Sequence, residues 1–311
     1  MIFDIPELLQ RILVQLNLND ISSCLLVNRL WCRITVRLLW SDPLHRISQS
    51  VILTLVSSLT ESDCQLKLPK LSSKLFFDYP RFLEVLDYTA LISSIRKYIS
   101  THNIDSEVTE KQLTKNILNM LVRKNVKLKC LKVLDWERSL DEDIYLLLFE
   151  FQTLVSGISK LVIASDKAKL KFLNKLSSTC HDITIIELTL HSSAINVKSE
   201  MNALKNLIES QQHLTAATFQ PIGLEIYGNS ILLFLSALIK ADSLKELLLV
   251  SDANDFRWVK ASGCGELINV TNQFLGYDCL PGLQFFGYIS ANWIGNLRKQ
   301  HSIVPKCTNQ G

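Results

Sequence analysis

The chain has 311 residues, enough for two domains or one solenoid with a well-buried core. Hydrophobic residues make up 48% of it and the mean hydropathy is +0.19, which excludes a disordered chain. The net charge of +3 is too small for a protein whose main task is gripping a phosphate backbone, and no apolar run reaches the ~18 residues that span a bilayer.

The stretch from Ile5 to Trp40 predicts three short helices. Pro6 suits a first helical turn, where its missing N–H is unpaired anyway, and Asp4 is the expected cap. Leu8, Leu9, Ile12, Leu13 and Leu16 recur at helical spacing. Asn17 to Asp20 breaks the pattern, and Asp20 is the expected cap of a second helix carrying Ile21, Cys24, Leu25 and Val27. A third helix carries Trp31, Ile34, Leu38 and Leu39 and stops before Asp42-Pro43. These apolar residues are too many for one face, so the trio needs a second surface to cover it. That surface is either the rest of the chain or another protein.

The residues Ile5-Pro6, Glu7, Leu8-Leu9, Ile12-Leu13, Leu16, Asp20-Ile21, Cys24, Val27-Asn28-Arg29, Trp31 and Leu39-Trp40 together resemble the F-box pattern. One departure is that Glu7 follows Pro6 directly, where the family usually has a spacer. The resemblance covers residues 1–44 and is similar to that of large fungal F-box families. It implies a three-helix module that docks on the linker subunit of a cullin–RING ubiquitin ligase. The contact candidates are Pro6, Leu8, Leu9, Ile12, Leu13, Leu25 and Val27, with Trp31 expected to lock the helices together. The alternative is an N-terminal helical cap on a larger domain.

Residues 45–80 read as a helical linker. Ile47, Val51, Leu55 and Leu59 recur at helical spacing, and a polar loop from Glu61 to Ser73 contains Pro69. No glycine precedes Gly157, so the first half is expected to be the more helical.

A repeat of the form apolar-x-x-apolar-x-apolar then runs through residues 81–311. It occurs at Leu83-Leu86-Tyr88, Leu131-Leu134-Trp136, Ile158-Leu161-Ile163 and Ile185-Leu188-Leu190, then at Leu214-Ala217-Phe219, Leu244-Leu247-Leu249 and Leu283-Phe286-Tyr288. From the second unit to the sixth the starts are 27, 27, 29 and 30 residues apart, and longer gaps of 48 and 39 flank them. Helices are expected between the units, at Thr109 to Val122, Ser139 to Val155, Asp166 to Ser178, Ser199 to Ser210 and Ser230 to Lys240. The first two of these carry capping-box patterns. The unit resembles the leucine-rich repeats that follow the F-box in one branch of that family. It is degenerate, because the expected asparagine or cysteine after each strand is missing. The predicted fold class is therefore α/β: a three-helix F-box followed by a leucine-rich-repeat-like strand–helix solenoid. An ordinary α/β domain with evenly spaced strands is the alternative.

In such a solenoid the residues between the apolar positions face solvent. These are Val133, Asp135 and Glu137; Lys160, Val162 and Ala164; Glu187, Thr189 and His191; Ala216, Thr218 and Gln220; Glu246, Leu248 and Val250; and Phe285, Gly287 and Ile289. The last rows are apolar enough to form a target-binding surface centred on Leu248, Val250, Phe285 and Ile289. Coverage of these four by the segment from residue 292 onward is the alternative.

No catalytic constellation emerges. His181-Asp182 reads as a loop before a strand, and Ser262-Gly263-Cys264-Gly265 lacks a base with a positioning partner. Lys167, Lys169, Lys171 and Lys175 read as a solvated helix face. The eight cysteines form no C-x-x-C pair, so neither zinc nor disulfides are expected, and a reducing cytosol or nucleus fits them. No signal peptide, cofactor, nucleic acid or membrane partner is expected. The leading expectation is a substrate-recruiting ligase subunit that is not itself an enzyme. The alternative is a repeat scaffold with no role in ubiquitin transfer.

Overall fold

The computed structural model describes residues 5–45, 49–60, 68–69, 75–104, 107–135, 142–165, 170–191, 197–222, 237–238, 241, 243–250, 255–260 and 267–269. The fold is mixed α/β and falls into two units, Met1–Ser165 and Asp166–Gly311.

The first unit begins with three helices, α1 (Pro6–Leu13), α2 (Leu18–Cys24) and α3 (Arg29–Ser41). Pro6 takes the first turn of α1, but the cap position is Ile5 rather than Asp4, and no side chain caps this end. The α2 start also differs from expectation. Asn17 Oδ1 accepts the Asp20 N–H at 3.0 Å, so Asn17 is the cap. Asp20 instead sits in the first turn, where its negative charge suits the helix dipole. At α3, Asn28 Oδ1 accepts the Trp31 N–H at 2.9 Å, and the helix stops at Ser41 ahead of Asp42-Pro43. Leu9, Leu13, Cys24 and Ile34 form a small core, with Leu16, Leu30, Trp31 and Leu38 packed against it.

The C-terminal end of α3 is tied to later segments of the same unit. Trp40 lies 4.6 Å from Tyr79 between ring centroids. The Ser41 carbonyl accepts the Glu84 N–H at 3.0 Å, and Asp42 pairs with Lys132 at 2.6 Å. The linker helix α4 (Gln49–Ser57) ends before Leu59, the last residue of its apolar pattern, and buries Val51, Ile52, Leu55 and Val56.

Three parallel strands complete this unit in chain order: β1 (Val85–Asp87), β2 (Cys130–Asp135) and β3 (Lys160–Ser165). The long gap after the first repeat houses α5 (Tyr88–Thr101), which the sequence reading missed, and α6 (Glu107–Arg123). Helix α6 begins before Thr109, so Thr109 does not stand at its boundary. The single helix expected from Ser139 to Val155 is instead α7 (Glu142–Leu146), a 3-10 stretch over Leu147–Phe151, and α8 (Gln152–Val155). The break has a packing reason. At about 100° per residue a straight helix would turn Phe149 and Leu154 well apart, yet both are buried along with Leu148 and Val155.

The second unit carries α9 (Leu170–Thr179), β4 (Ile185–His191), α10 (Val197–Glu209), β5 (Ala216–Ile222), β6 (Glu246–Val250), β7 (Asp255–Lys260) and β8 (Leu267–Asn269). Strands β4, β5 and β6 are parallel, and then β7 returns antiparallel to β6 and β8 antiparallel to β7. The helices α9 and α10 pack on each other. They bury Phe172, Leu173 and Leu176 on one side and Leu204, Leu207 and Ile208 on the other. Of the helix expected at 230–240, only residues 237–238 lie within the described residues, and the Leu283-Phe286-Tyr288 unit and Trp136 lie outside them.

Backbone register corrects the phase of two repeat units. Leu86 pairs with Leu131 and Leu131 with Leu161; Ile186 pairs with Ala217 and Ala217 with Leu247. The units at Leu83, Ile158, Leu214 and Leu244 are thus in phase as read. The second is Leu128-Leu131-Val133, not Leu131-Leu134-Trp136, and the fourth is Ile183-Ile186-Leu188. Side chains alternate faces along a strand, so two residues three apart inside one strand cannot share a face. The first residue of each unit therefore precedes its strand. Leu128, Leu131, Val133, Ile183, Ile186 and Leu188 are all buried.

Candidate functional site

Helix α1 carries a continuous apolar arc of about 140° at about 100° per residue. One half of it is sealed and the other open. Leu9 and Leu13 are 0% exposed, whereas Ile5, Leu8 and Ile12 are 45%, 38% and 42% exposed. Leu9 and Leu13 were candidate contacts in the sequence. They are core residues instead, because they are the side of the arc that meets Cys24 and Ile34.

The turn between α2 and α3 exposes further aliphatic side chains. The Leu25, Leu26 and Val27 N–H groups donate to the Ser22, Ser23 and Cys24 carbonyls at 3.2, 3.2 and 3.4 Å. This tight turn keeps Cys24 inside and puts Leu26 outside, 90% exposed, with Val27 at 56%. Leu25 is half-buried, and Pro6 is exposed. The sequence reading missed Leu26 and the exposed Val14. Three consecutive large aliphatics at a helix end, Leu25-Leu26-Val27, were the available signal, since one turn cannot bury all three.

The open strand face is the second candidate. In the first unit Lys132 pairs with Val162, and both are half-buried. In the second, Glu187 pairs with Thr218 and Thr218 with Leu248. Glu187, Thr189, Ala216, Thr218 and Gln220 are half-buried, as solvent-side positions should be. Val133 and Ala164 were expected outside but are buried. For Val133 the cause is the shifted phase of its unit, which turns it inward. Leu248 and Val250 belong to β6, whereas Phe285 and Ile289 lie outside the described residues.

Among the described residues no three His, Cys, Asp or Glu side chains are grouped to hold a metal ion. His181 and Asp182 are exposed in the connection entering β4, and Lys171 and Lys175 are exposed on α9. Cys24, Cys130 and Cys180 are buried free thiols, and Cys32 is a half-buried one. No helix among the described residues is long and apolar enough to cross a membrane. Set against protein-family models, curated proteins and solved structures, the chain matches none.

Proposed function

We propose that the protein is a substrate-recruiting adaptor subunit of a cullin–RING ubiquitin ligase. In this reading the three N-terminal helices act as an F-box on the ligase's linker subunit. The strand–helix units form a leucine-rich-repeat-like solenoid that captures the target. The protein does no chemistry itself and supplies proximity between target and ubiquitin-charged enzyme.

The observation that carries this reading is the split arc of α1. A three-helix group with its own core still exposes Ile5, Leu8 and Ile12, and also Leu26 and Val27. Burying each large aliphatic side chain contributes about 1.5–3 kcal/mol, so a few of them offset much of the cost of association. Target capture is assigned to the strand face carrying Glu187 and Thr218, whose register continues to Leu248.

The test is co-purification of the full chain with the linker subunit. Recovery of the pair, lost on Leu8→Asp with Ile12→Asp at an unchanged melting temperature, supports the adaptor. A second reading, a repeat scaffold capped by these helices, draws on the ties of Trp40 to Tyr79 and of Asp42 to Lys132. Failure of the parent chain to retain the linker subunit favours that reading.

A further inference from the structure

Along α3, Arg29, Arg33 and Arg37 recur every fourth residue, and all three are exposed. They trace one slowly winding stripe with a stride of about 6 Å. The nearby carboxylates are engaged elsewhere: Asp42 by Lys132, Asp78 by Arg81 and Lys124, Glu84 by Lys129. None of the three arginines forms an ion pair with a described residue.

This stripe works against the helix that carries it. Like charges four apart on a helix repel, and a cation at a helix start opposes the dipole. Arg29 is the first residue of α3. The stripe leads onto an aromatic floor. The Arg37 guanidinium lies 5.8 Å above the Phe82 ring, and Tyr79 packs between Trp40 at 4.6 Å and Phe77 at 5.8 Å. Phe76, next in the chain, is 93% exposed. A guanidinium held over a ring face as a cation keeps N–H groups free for a carboxylate.

We propose that this face binds an acidic linear peptide bearing an aromatic or aliphatic anchor. In an extended peptide, alternate residues are about 6.6 Å apart, which matches the arginine stride. Three alternating carboxylates can each meet one fork while the anchor rests on the aromatic floor. Three cations neutralise too few phosphates to hold a nucleic acid at physiological salt. The proposal does not rest on the ligase reading, whose apolar ridge lies on α1 and the turn before α3.

The experiment is fluorescence anisotropy with the full chain at about 0.1 M salt, where surface charges are screened beyond about 10 Å. The probe is a labelled peptide of alternating Glu and Ser with one central Phe. Controls are the same peptide with Gln for Glu, a labelled oligothymidylate, and vesicles of mixed phosphatidylserine and phosphatidylcholine. The expected result is binding of the acidic peptide alone, weakened about tenfold or more by combined Arg29→Gln, Arg33→Gln and Arg37→Gln, with a melting temperature no lower than the parent's. If the triple variant melts early, Arg33→Gln alone is read instead, with a loss of about threefold expected. No binding of the acidic peptide, binding indifferent to these variants, or tighter binding of the oligothymidylate or the vesicles overturns the proposal.

Discussion

The Gln211 side chain fixes the backbone at Ile183. Its Oε1 accepts the Ile183 N–H at 3.1 Å while its Nε2 donates to the Cys180 carbonyl at 2.8 Å. Gln211 is buried, and so are Ile183 and Cys180, which puts both backbone groups out of reach of bulk water. An unpaired buried N–H or C=O costs about 1–3 kcal/mol. Gln211→Ala is expected to destabilise the second unit by about 2–4 kcal/mol. The measurement is the urea midpoint followed by circular dichroism. A change under about 0.5 kcal/mol would mean that the clamp contributes nothing beyond an ordinary surface substitution.

Adjacent leucines on α1 should behave as opposites. Leu9→Ala removes a fully buried side chain from a small core and is expected to cost about 2–5 kcal/mol. Leu8→Ala is expected to stay within about 0.5 kcal/mol of the parent. Thermal melts of both variants check this, and equal costs would show that the two halves of the arc are not distinct.

Asn28 is the cap of α3, with its side chain on the Trp31 N–H. Asn28→Ala should lower stability by about 1 kcal/mol, and Asn28→Asp should largely retain it. Hydrogen exchange at the Trp31 amide is the direct readout, and it should quicken in the alanine variant only.

Two buried groups predict loss of stability in alkali. Burial pushes the Cys180 thiol up from 9.0 to about 12. Burial first, then the charges of Glu110 and Glu150, raises the Tyr88 phenol well above its ordinary value. The Tyr88 hydroxyl also donates to the Ile144 carbonyl at 2.6 Å. In both cases the folded protein keeps a proton that the unfolded chain gives up. The Cys180 contribution is therefore full below pH 9 and falls between pH 9 and about 12. The Tyr88 contribution falls from about pH 10 upward. Urea midpoints at pH 7 and near pH 10.5 should show a steeper decline for the parent than for Cys180→Ala. In the folded protein at pH 8, Cys180 should react with a disulfide reagent only as fast as the chain opens.

The three N-terminal helices were legible because proline, asparagine and periodic leucines each act locally. Their caps were less so: Asn17 and Asp20 are both good cap residues, and only geometry decides between them. The mixed α/β class followed from the repeat period. The phase of individual units did not, because Leu131, Val133 and Leu134 offer two apolar triplets and only the pairing of Leu131 with Leu86 and Leu161 selects one. Helix α5 was hidden because Tyr88 reads as a strand's last apolar residue, whereas Asp87 caps a helix there by accepting the Ala90 N–H at 2.9 Å. At the candidate site, periodicity identified an apolar arc on α1 but could not say which edge of it met α2 and α3.

The antiparallel return of β7 onto β6 limits how the chain can lengthen. With β5 on one edge of β6 and β7 on the other, no further parallel strand can join there without evicting a partner. Duplication or deletion of a strand–helix module is tolerable between β4 and β6. Chains that grow or shrink by whole modules should therefore vary ahead of this hairpin.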